Sequence, residues 1–149
     1  MSHEEAPLPP AFHTTKGKVL VVGSASADLC ATSNMLSFWG GYDPASGEIV
    51  DRHHPLSGQT VGGKIFALPK GKGSSTGSAV LLDALHNGNA PSGILLNQVD
   101  EIISLGVVVF EEFFGKRIPV IQLDDAAFEA ALKARRATIE EDGKVMFHA

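Results

Sequence analysis

Cysteine is almost missing from this 149-residue sequence, which holds a single thiol, Cys30. One cysteine excludes an internal disulfide and cannot supply the several thiolates that an iron–sulfur cluster takes. No basic neighbour flanks Cys30, so it reads as a small buried or loop residue rather than a reactive thiol. Positive charge is also scarce: 12 Lys and Arg stand against 17 Asp and Glu, for a formal net charge of -5. Phosphate backbones call for a basic face, so no nucleic-acid partner is expected. Only Lys64 to Lys72 is locally basic. No apolar run approaches the roughly 18 to 20 residues of a membrane span. The stretch Met1 to Pro10 is acidic and proline-rich, with neither a basic start nor an apolar centre. No signal peptide is expected, and the cytoplasm is the default location. No internal repeat or low-complexity tract is visible.

What is present fits one globular domain. Hydrophobic residues make up 44% and charged residues 19%, enough apolar material for a single core and too short a chain for a second catalytic domain. Residues 1–16 read as a flexible leader, 17–137 as the folded domain and 138–149 as a C-terminal tail. Lys18 to Val22 predicts a buried strand between Gly17 and Gly23. Ser24 to Asn34 is small and polar and predicts a loop. From Leu36 to Pro55 the turn formers Gly40, Gly41, Asp43, Pro44, Gly47 and Pro55 leave room only for short strands such as Glu48 to Asp51. A long irregular stretch of this kind is more often functional than idle.

The second half is regular. Lys64 to Leu68 predicts a strand, Ser78 to His86 a helix and Ser92 to Leu96 another strand. Asp100 can cap a helix that runs to Phe114, with Val107, Phe110 and Phe114 at helical spacing and Gly115 as its stop. The Val107 to Val109 run also has strand character. Pro119 to Leu123 predicts a further strand, and Asp124 or Asp125 opens a last helix carrying Phe128, Ala131 and Leu132. Val145 to Phe147, in the tail, reads as an edge strand or a docking segment. The fold class is α/β: a β-rich N-terminal half beside a parallel β-α-β-α-β segment.

The stretch Pro69-Lys70-Gly71-Lys72-Gly73-Ser74-Ser75-Thr76-Gly77-Ser78 lies between a buried strand and a helix. Ligands of open α/β sheets bind beyond the carboxyl ends of strands, where the next helix offers unpaired N–H groups. Two nucleotide motifs fail here. Gly71, Gly73 and Gly77 give a dinucleotide fingerprint one residue too long. Gly58 to Lys64 matches the first part of a P-loop, but Ile65 replaces the metal-binding hydroxyl and a strand follows. The adjacent hydroxyls Ser74 and Ser75 remain. A serine at a helix start can act as base or nucleophile, and it can equally be the helix cap. No nucleophile elbow or local histidine partner indicates a hydrolase triad.

Elsewhere, His53 and His54 with Asp51 and Arg52 could meet a carboxylate or a metal, or form an ordinary polar turn. His86 sits where a helix dipole favours it. Phe38 and Trp39 read either as satellite-core anchors or as the centre of an interface.

The run Leu36-Ser37-Phe38-Trp39-Gly40-Gly41-Tyr42-Asp43-Pro44, then Gly47, Ile49, Asp51-Arg52, His54-Pro55 and Gly58-Gln59, resembles the aconitase X small subunit. The resemblance continues through Leu68-Pro69, Gly71, Gly73-Ser74-Ser75, Ala90-Pro91 and Gly115 to Pro119, and so covers about Lys18 to Leu123. It implies a swivelling β/β/α domain, like the mobile domain of aconitases, packed over a large catalytic subunit that carries the iron or iron–sulfur cluster. No metal ligand is then expected in this chain. The first serine of the Gly-Ser-Ser segment is the proton-abstracting base in that superfamily, which falls here on Ser74. Gly73, Ser75, Thr76 and Lys72 would line the substrate, and Phe38, Trp39, Asp51, Arg52 and His54 would face substrate or partner.

The implied reaction is dehydration of a small hydroxy acid. Aconitase itself carries an arginine after the two serines, and Thr76 at that position argues against a citrate-like substrate. Two activities are known in the resembling group, dehydration of cis-3-hydroxy-L-proline and of mevalonate 5-phosphate. The modest charge content and the presence of Asn, Gln, Met and Cys suit a mesophilic host and favour hydroxyproline. Lys70 and Lys72 keep the phosphate substrate as the alternative. A non-catalytic module that binds small anions is the rival of another class. A phosphocarrier would need a histidine within Gly71 to Ser78, and none is there.

Overall fold

The computed structural model describes residues 9–71, 76–98, 100–115 and 117–149, and of residues 76–78, 101, 102 and 113 it describes the backbone alone. In chain order the elements are β1 (Ala11–Lys16), β2 (Lys18–Val21), β3 (Ala25–Ala31), the kinked turn α1 (Phe38–Gly41), β4 (Ile65–Leu68), α2 (Thr76–His86) and β5 (Gly93–Leu96). They continue with α3 (Glu101–Phe114), β6 (Val120–Gln122), α4 (Asp125–Lys133), β7 (Arg136–Ile139) and β8 (Lys144–His148).

The eight strands follow the order β1-β8-β7-β3-β4-β5-β6-β2. β1 and β2 stand at opposite ends of that order, yet only Gly17 separates them in sequence. The sheet therefore curls until its two ends meet. Gly17 permits the meeting, since a Cβ there would lie 2.3 Å from Ile121 Cγ2 and 2.7 Å from the Gln122 carbonyl. Its N–H donates to the Gly143 carbonyl at 2.9 Å, tying the β7–β8 turn to the seam.

β3, β4, β5 and β6 are mutually parallel, and β1, β8, β7 and the outer strand β2 run antiparallel to their neighbours. Strands alternate their side chains between two faces, and both faces of the parallel part are covered. Phe66, Leu68, Ile94, Leu96 and Val120 pack against Leu81 and Leu85 of α2, Ile103, Val107 and Phe110 of α3, and Leu36, Phe38 and Ile49 of the front half. Ile65, Ala67, Leu95 and Ile121 face the other way, onto Ala137, Ile139, Val145 and Phe147 of the antiparallel part and onto Phe128 and Ala131 of α4. The result is two layers of strands and one of helices, the β/β/α arrangement expected.

The regular elements of the second half fall within a residue or two of their sequence assignments. Asp100 caps α3, its Oδ1 accepting from the Ile103 N–H at 3.1 Å. Gly115 stops the helix with φ +68, a conformation that glycine adopts without penalty. The Val107 to Val109 run is helical, with Val107 buried. Asp124 caps α4 through the Ala127 N–H at 2.8 Å.

Several expectations need correction. Ser24 to Asn34 is not a loop, because Ala25–Ala31 forms β3, paired antiparallel with β7 and parallel with β4. Its small residues carry little strand propensity, so partners on both sides impose the conformation. Glu48 to Asp51 makes only isolated bridges, Tyr42 with Ile49 and Glu48 with Thr60. The boundaries drawn at residues 16 and 137 cut through the sheet. Ala11–Lys16 pairs with β8, and β8 lies between β1 and β7, so the Val145 to Phe147 segment is a strand inside the sheet rather than at its edge. β1 hid because it is largely exposed and lacks a buried apolar face.

Replacing Phe147, fully buried in β8, with alanine is expected to destabilise the domain by about 3–5 kcal/mol. Phe12→Ala, at a side chain 50% exposed in β1, is expected to cost no more than about 0.5 kcal/mol. Chemical denaturation of the two variants checks both values. A small effect of Phe147→Ala would restore the tail as a separate appendage.

Candidate active site

The parallel strands β4, β5 and β6 end along one edge, where the crossovers to α2, α3 and α4 begin. β4 is wholly buried and passes through Pro69 and Lys70 to Gly71. The Pro69 carbonyl accepts from the N–H groups of Asn97 and Gln98, at 3.1 and 3.0 Å, which joins the loop after β4 to the loop after β5. Gly71 forms a parallel bridge with Leu36, and its N–H donates to Asp100 Oδ2 at 2.5 Å. Asp100 is 5% exposed, and its two oxygens serve two elements, the α3 cap and the root of the glycine loop. Sequence reading found the cap and missed the second bond, since the partner lies 29 residues away.

Lys72, Gly73, Ser74 and Ser75 fall outside the described residues. Thr76 is described as the first residue of α2, so Ser74 and Ser75 directly precede a helix of 11 residues. The N–H groups of a first turn are unpaired and its dipole end is positive, which favours an anion there.

The front half is brought to the same place. A Cβ at Gly41 would lie 3.1 Å from Leu36 Cδ1 and 3.6 Å from Asp51 Cβ, so Asp51 neighbours the segment that bridges to Gly71. Asp51 Oδ1 accepts from the His53 N–H at 3.0 Å, which folds the turn. Arg52 and His53 are exposed. His54 is 6% exposed, and its Nδ1 accepts from the Leu56 N–H at 3.1 Å. That bond leaves the ring N–H at Nε2, a buried atom with no hydrogen-bond partner among the described residues. His54 is therefore part of the packed turn rather than of an exposed polar surface. Phe38 and Trp39 separate: Phe38 is in the core, its ring tilted against Tyr42 at a centroid distance of 5.3 Å, whereas Trp39 is 62% exposed. Phe38 is thus withdrawn as an interface or substrate residue. Met35 and Val50 are exposed near Trp39 in sequence and along the same irregular half.

Asn89, which drew no attention in the sequence, holds this half together. Its carbonyl accepts from the Tyr42 hydroxyl at 2.6 Å, and its Nδ2 donates to the carbonyls of Ala45 at 2.9 Å and Pro44 at 3.2 Å. His86 packs in a tilted arrangement against Phe114 with ring centroids 4.8 Å apart, linking α2 to α3. A cleft of about 420 Å³ opens beyond β5 and β6, lined by Lys16, Lys18, Asn97, Gln122, Asp124 and Asp125. Its mixed charges, like its position at the seam, were not legible in the sequence.

The described residues do not fit an iron centre. Among the described residues no group of three or more His, Cys, Asp or Glu stands close enough to hold a metal. Cys30 is buried with its Sγ 3.7 Å from Gln59 Oε1, and burial raises its thiol pKa against the opposing pull of Lys64. A protonated, enclosed thiol is a poor ligand and a poor nucleophile.

Burial also raises the pKa of the Tyr42 phenol. Below the ordinary phenol value of about 10 both folded and unfolded chains carry it neutral. Above that value the unfolded chain ionises and the folded chain resists, so stability falls as pH rises. Tyr42 is the sole tyrosine, which makes phenolate absorbance a single-site readout. It is expected to appear only well above pH 10, together with unfolding. Tyr42→Phe is expected to remove about 1 kcal/mol at neutral pH and to flatten the alkaline decline in stability, measured by denaturation across pH. A phenol that titrates at its ordinary value in the folded chain would contradict the buried bond to Asn89.

Comparison with known proteins agrees with this architecture. A family model described as the aconitase X swivel domain matches residues 14–147. Cis-3-hydroxy-L-proline dehydratase of Pseudomonas aeruginosa is 46% identical over 138 residues, covering 91% of this chain and 23% of that protein. The chain thus spans less than a quarter of that relative's length. The phosphomevalonate dehydratase small subunit of Thermococcus kodakarensis is 31% identical over 136 residues, 87% of this chain and 98% of that subunit. The crystal structure of holo-form aconitase X from Thermococcus kodakaraensis superimposes with a TM-score of 0.79 at 28% identity, over 92% of this chain and 99% of that one. A curled, partly parallel sheet with the glycine–serine segment at the carboxyl end of β4, matched over nearly its whole length, means that the chain belongs to the aconitase X swivel domain family.

Proposed function

We propose that this chain is the swivelling small component of an aconitase X type hydro-lyase that dehydrates cis-3-hydroxy-L-proline, with Ser74 as the base. The observation that carries the substrate is the 46% identity to the Pseudomonas cis-3-hydroxy-L-proline dehydratase, against 31% to the Thermococcus phosphomevalonate dehydratase small subunit. A single cysteine cannot supply the thiolates of a cluster, and the iron or iron–sulfur centre is assigned to a large aconitase-like partner.

In this chain the chemistry is proton transfer. Ser74, ionised, takes the proton from the carbon next to the carboxylate. The electron pair of that C–H bond forms the new C=C bond as the hydroxyl departs, and pyrroline-2-carboxylate follows by tautomerisation. An alkoxide is costly in water, and the positive end of α2, its free N–H groups and Lys72 lower that cost by holding negative charge. Gly73, Ser75 and Thr76 adjoin Ser74 in sequence and would hold the substrate. Trp39, with Met35 and Val50, supplies apolar surface at the irregular half, and Asp51 and Arg52 supply charge beside it, for the partner or the substrate carboxylate. His54 would act through the packing of that turn.

Lys70 and Lys72, on either side of Gly71, support a second reading in which the substrate carries a phosphate, namely mevalonate 5-phosphate. A binding module without chemistry is the reading of another class. Co-expression with the aconitase-like large chain, followed by metal reconstitution, separates these. The complex is expected to eliminate water from cis-3-hydroxy-L-proline with a kcat/KM at least about a hundredfold above that for mevalonate 5-phosphate, a gap of the size that a missing charged contact produces. Each chain alone is expected to be inactive. The opposite substrate preference would select the second reading, turnover by the small chain alone would overturn the two-component assignment, and binding of both acids without turnover would leave the binding module.

A further inference from the structure

We infer that Asp100 is a positioning residue for the glycine–serine segment, fixing its first residue, Gly71, and thereby the point from which the chain departs toward Ser74. The inference rests on the reading of Ser74 as the base.

A helix cap needs one acceptor, and Asn, Ser or Thr supplies it as well as Asp. Asp124 shows the ordinary case, an exposed carboxylate whose Oδ1 caps α4. Asp100 departs from it. It is buried to 5% exposure, where an ionised group persists only when its oxygens are bonded. One oxygen receives the Ile103 N–H at 3.1 Å and the other the Gly71 N–H at 2.5 Å. Bonds to a carboxylate are stronger than neutral ones, and the positive end of the 14-residue α3 favours the charge.

The geometry at Gly71 is closed on several sides. A Cβ there would lie 2.7 Å from Asp100 Oδ2 and 3.2 Å from Ile103 Cδ1, so no larger residue can donate this bond in place. Leu36 bridges Gly71 from another strand segment, and two residues upstream the Pro69 carbonyl is held by two N–H groups of the β5 loop. The chain is thus located up to Gly71, three residues before Ser74 in sequence. Asp100 couples that location to the rigid end of α3, and an error of about 1 Å in a reacting group can cost a hundredfold in rate.

Asp100→Asn keeps an oxygen for the Ile103 N–H and turns an NH₂ group toward the Gly71 N–H, so the cap survives and the loop contact is lost. In the metal-loaded complex its kcat for cis-3-hydroxy-L-proline is expected to fall about ten- to hundredfold with KM changed by less than about threefold, while the complex still assembles. Gly71→Ala is expected to give the same pattern, and the double variant to be no worse than the poorer single one, because both act on one contact. Multiplied effects in the double variant, or a wild-type kcat in Asp100→Asn, would overturn the inference. Amide hydrogen exchange at Gly71 in the full chain gives a readout free of activity, expected to be at least about tenfold faster in Asp100→Asn. Faster exchange beside a wild-type complex that dehydrates neither substrate would fail the proposed function and leave the positioning contact intact, whereas unchanged exchange would remove the contact itself. Should the asparagine variant not fold, Asp100→Ser, which retains a capping oxygen and no second one, takes its place.

Discussion

The closure of the sheet at Gly17 is the constraint from which the rest of the architecture follows. One residue joins strands that stand at the two ends of an eight-strand order, so the sheet has to curl, and it can do so only where a side chain is absent. Curling gives the parallel strands two different faces. The inner one packs on the antiparallel strands and α4, and the outer one on α2, α3 and the irregular front half. With both faces filled, the edge where β4, β5 and β6 end is the place left for chemistry, in keeping with the general behaviour of open α/β sheets.

That edge is organised by hydrogen bonds between loops more than by side-chain packing. The Pro69 carbonyl, the Gly71 N–H and the Asp100 carboxylate knit together the exits of β4 and β5. Asn89 and Tyr42 perform the corresponding task for the front half, which has little regular structure of its own. A glycine-rich stretch is costly to order, and it is ordered here by a few polar contacts. The domain is thereby a rigid frame around the start of a short segment that carries two adjacent serines.

The parallel core was legible because its signals are local. Ile65 to Leu68 and Gly93 to Leu96 are short apolar runs, and Asp100, Gly115 and Asp124 are helix punctuation. β3 was not legible, since Ala25 to Ala31 is a strand only by virtue of the partners on either side. β1 was hidden for the related reason that an outer strand with exposed side chains shows no apolar period. At the site, Ser74 could not be told from an ordinary helix cap by spacing, because capping and catalysis favour the same residues before a first turn. Resemblance to a family is what proposes it as the base. Phe38 and Trp39 are neighbours in sequence with opposite fates, one in the core and one 62% exposed, and nothing local distinguishes them in a glycine-rich turn. Contacts spanning 29 residues, as between Gly71 and Asp100, leave no trace in a pattern of residues.

In the proposed reaction one atom, the Ser74 hydroxyl oxygen, accepts the substrate proton. Its most direct test follows deuterium placed on the carbon next to the carboxylate of cis-3-hydroxy-L-proline, in complexes assembled with wild-type chain and with Ser74→Ala and matched in metal content. Loss of deuterium to solvent in step with water elimination in the wild type, and about 10²- to 10⁴-fold slower in Ser74→Ala, is the predicted result. Equal rates of deuterium loss in the two complexes would contradict it.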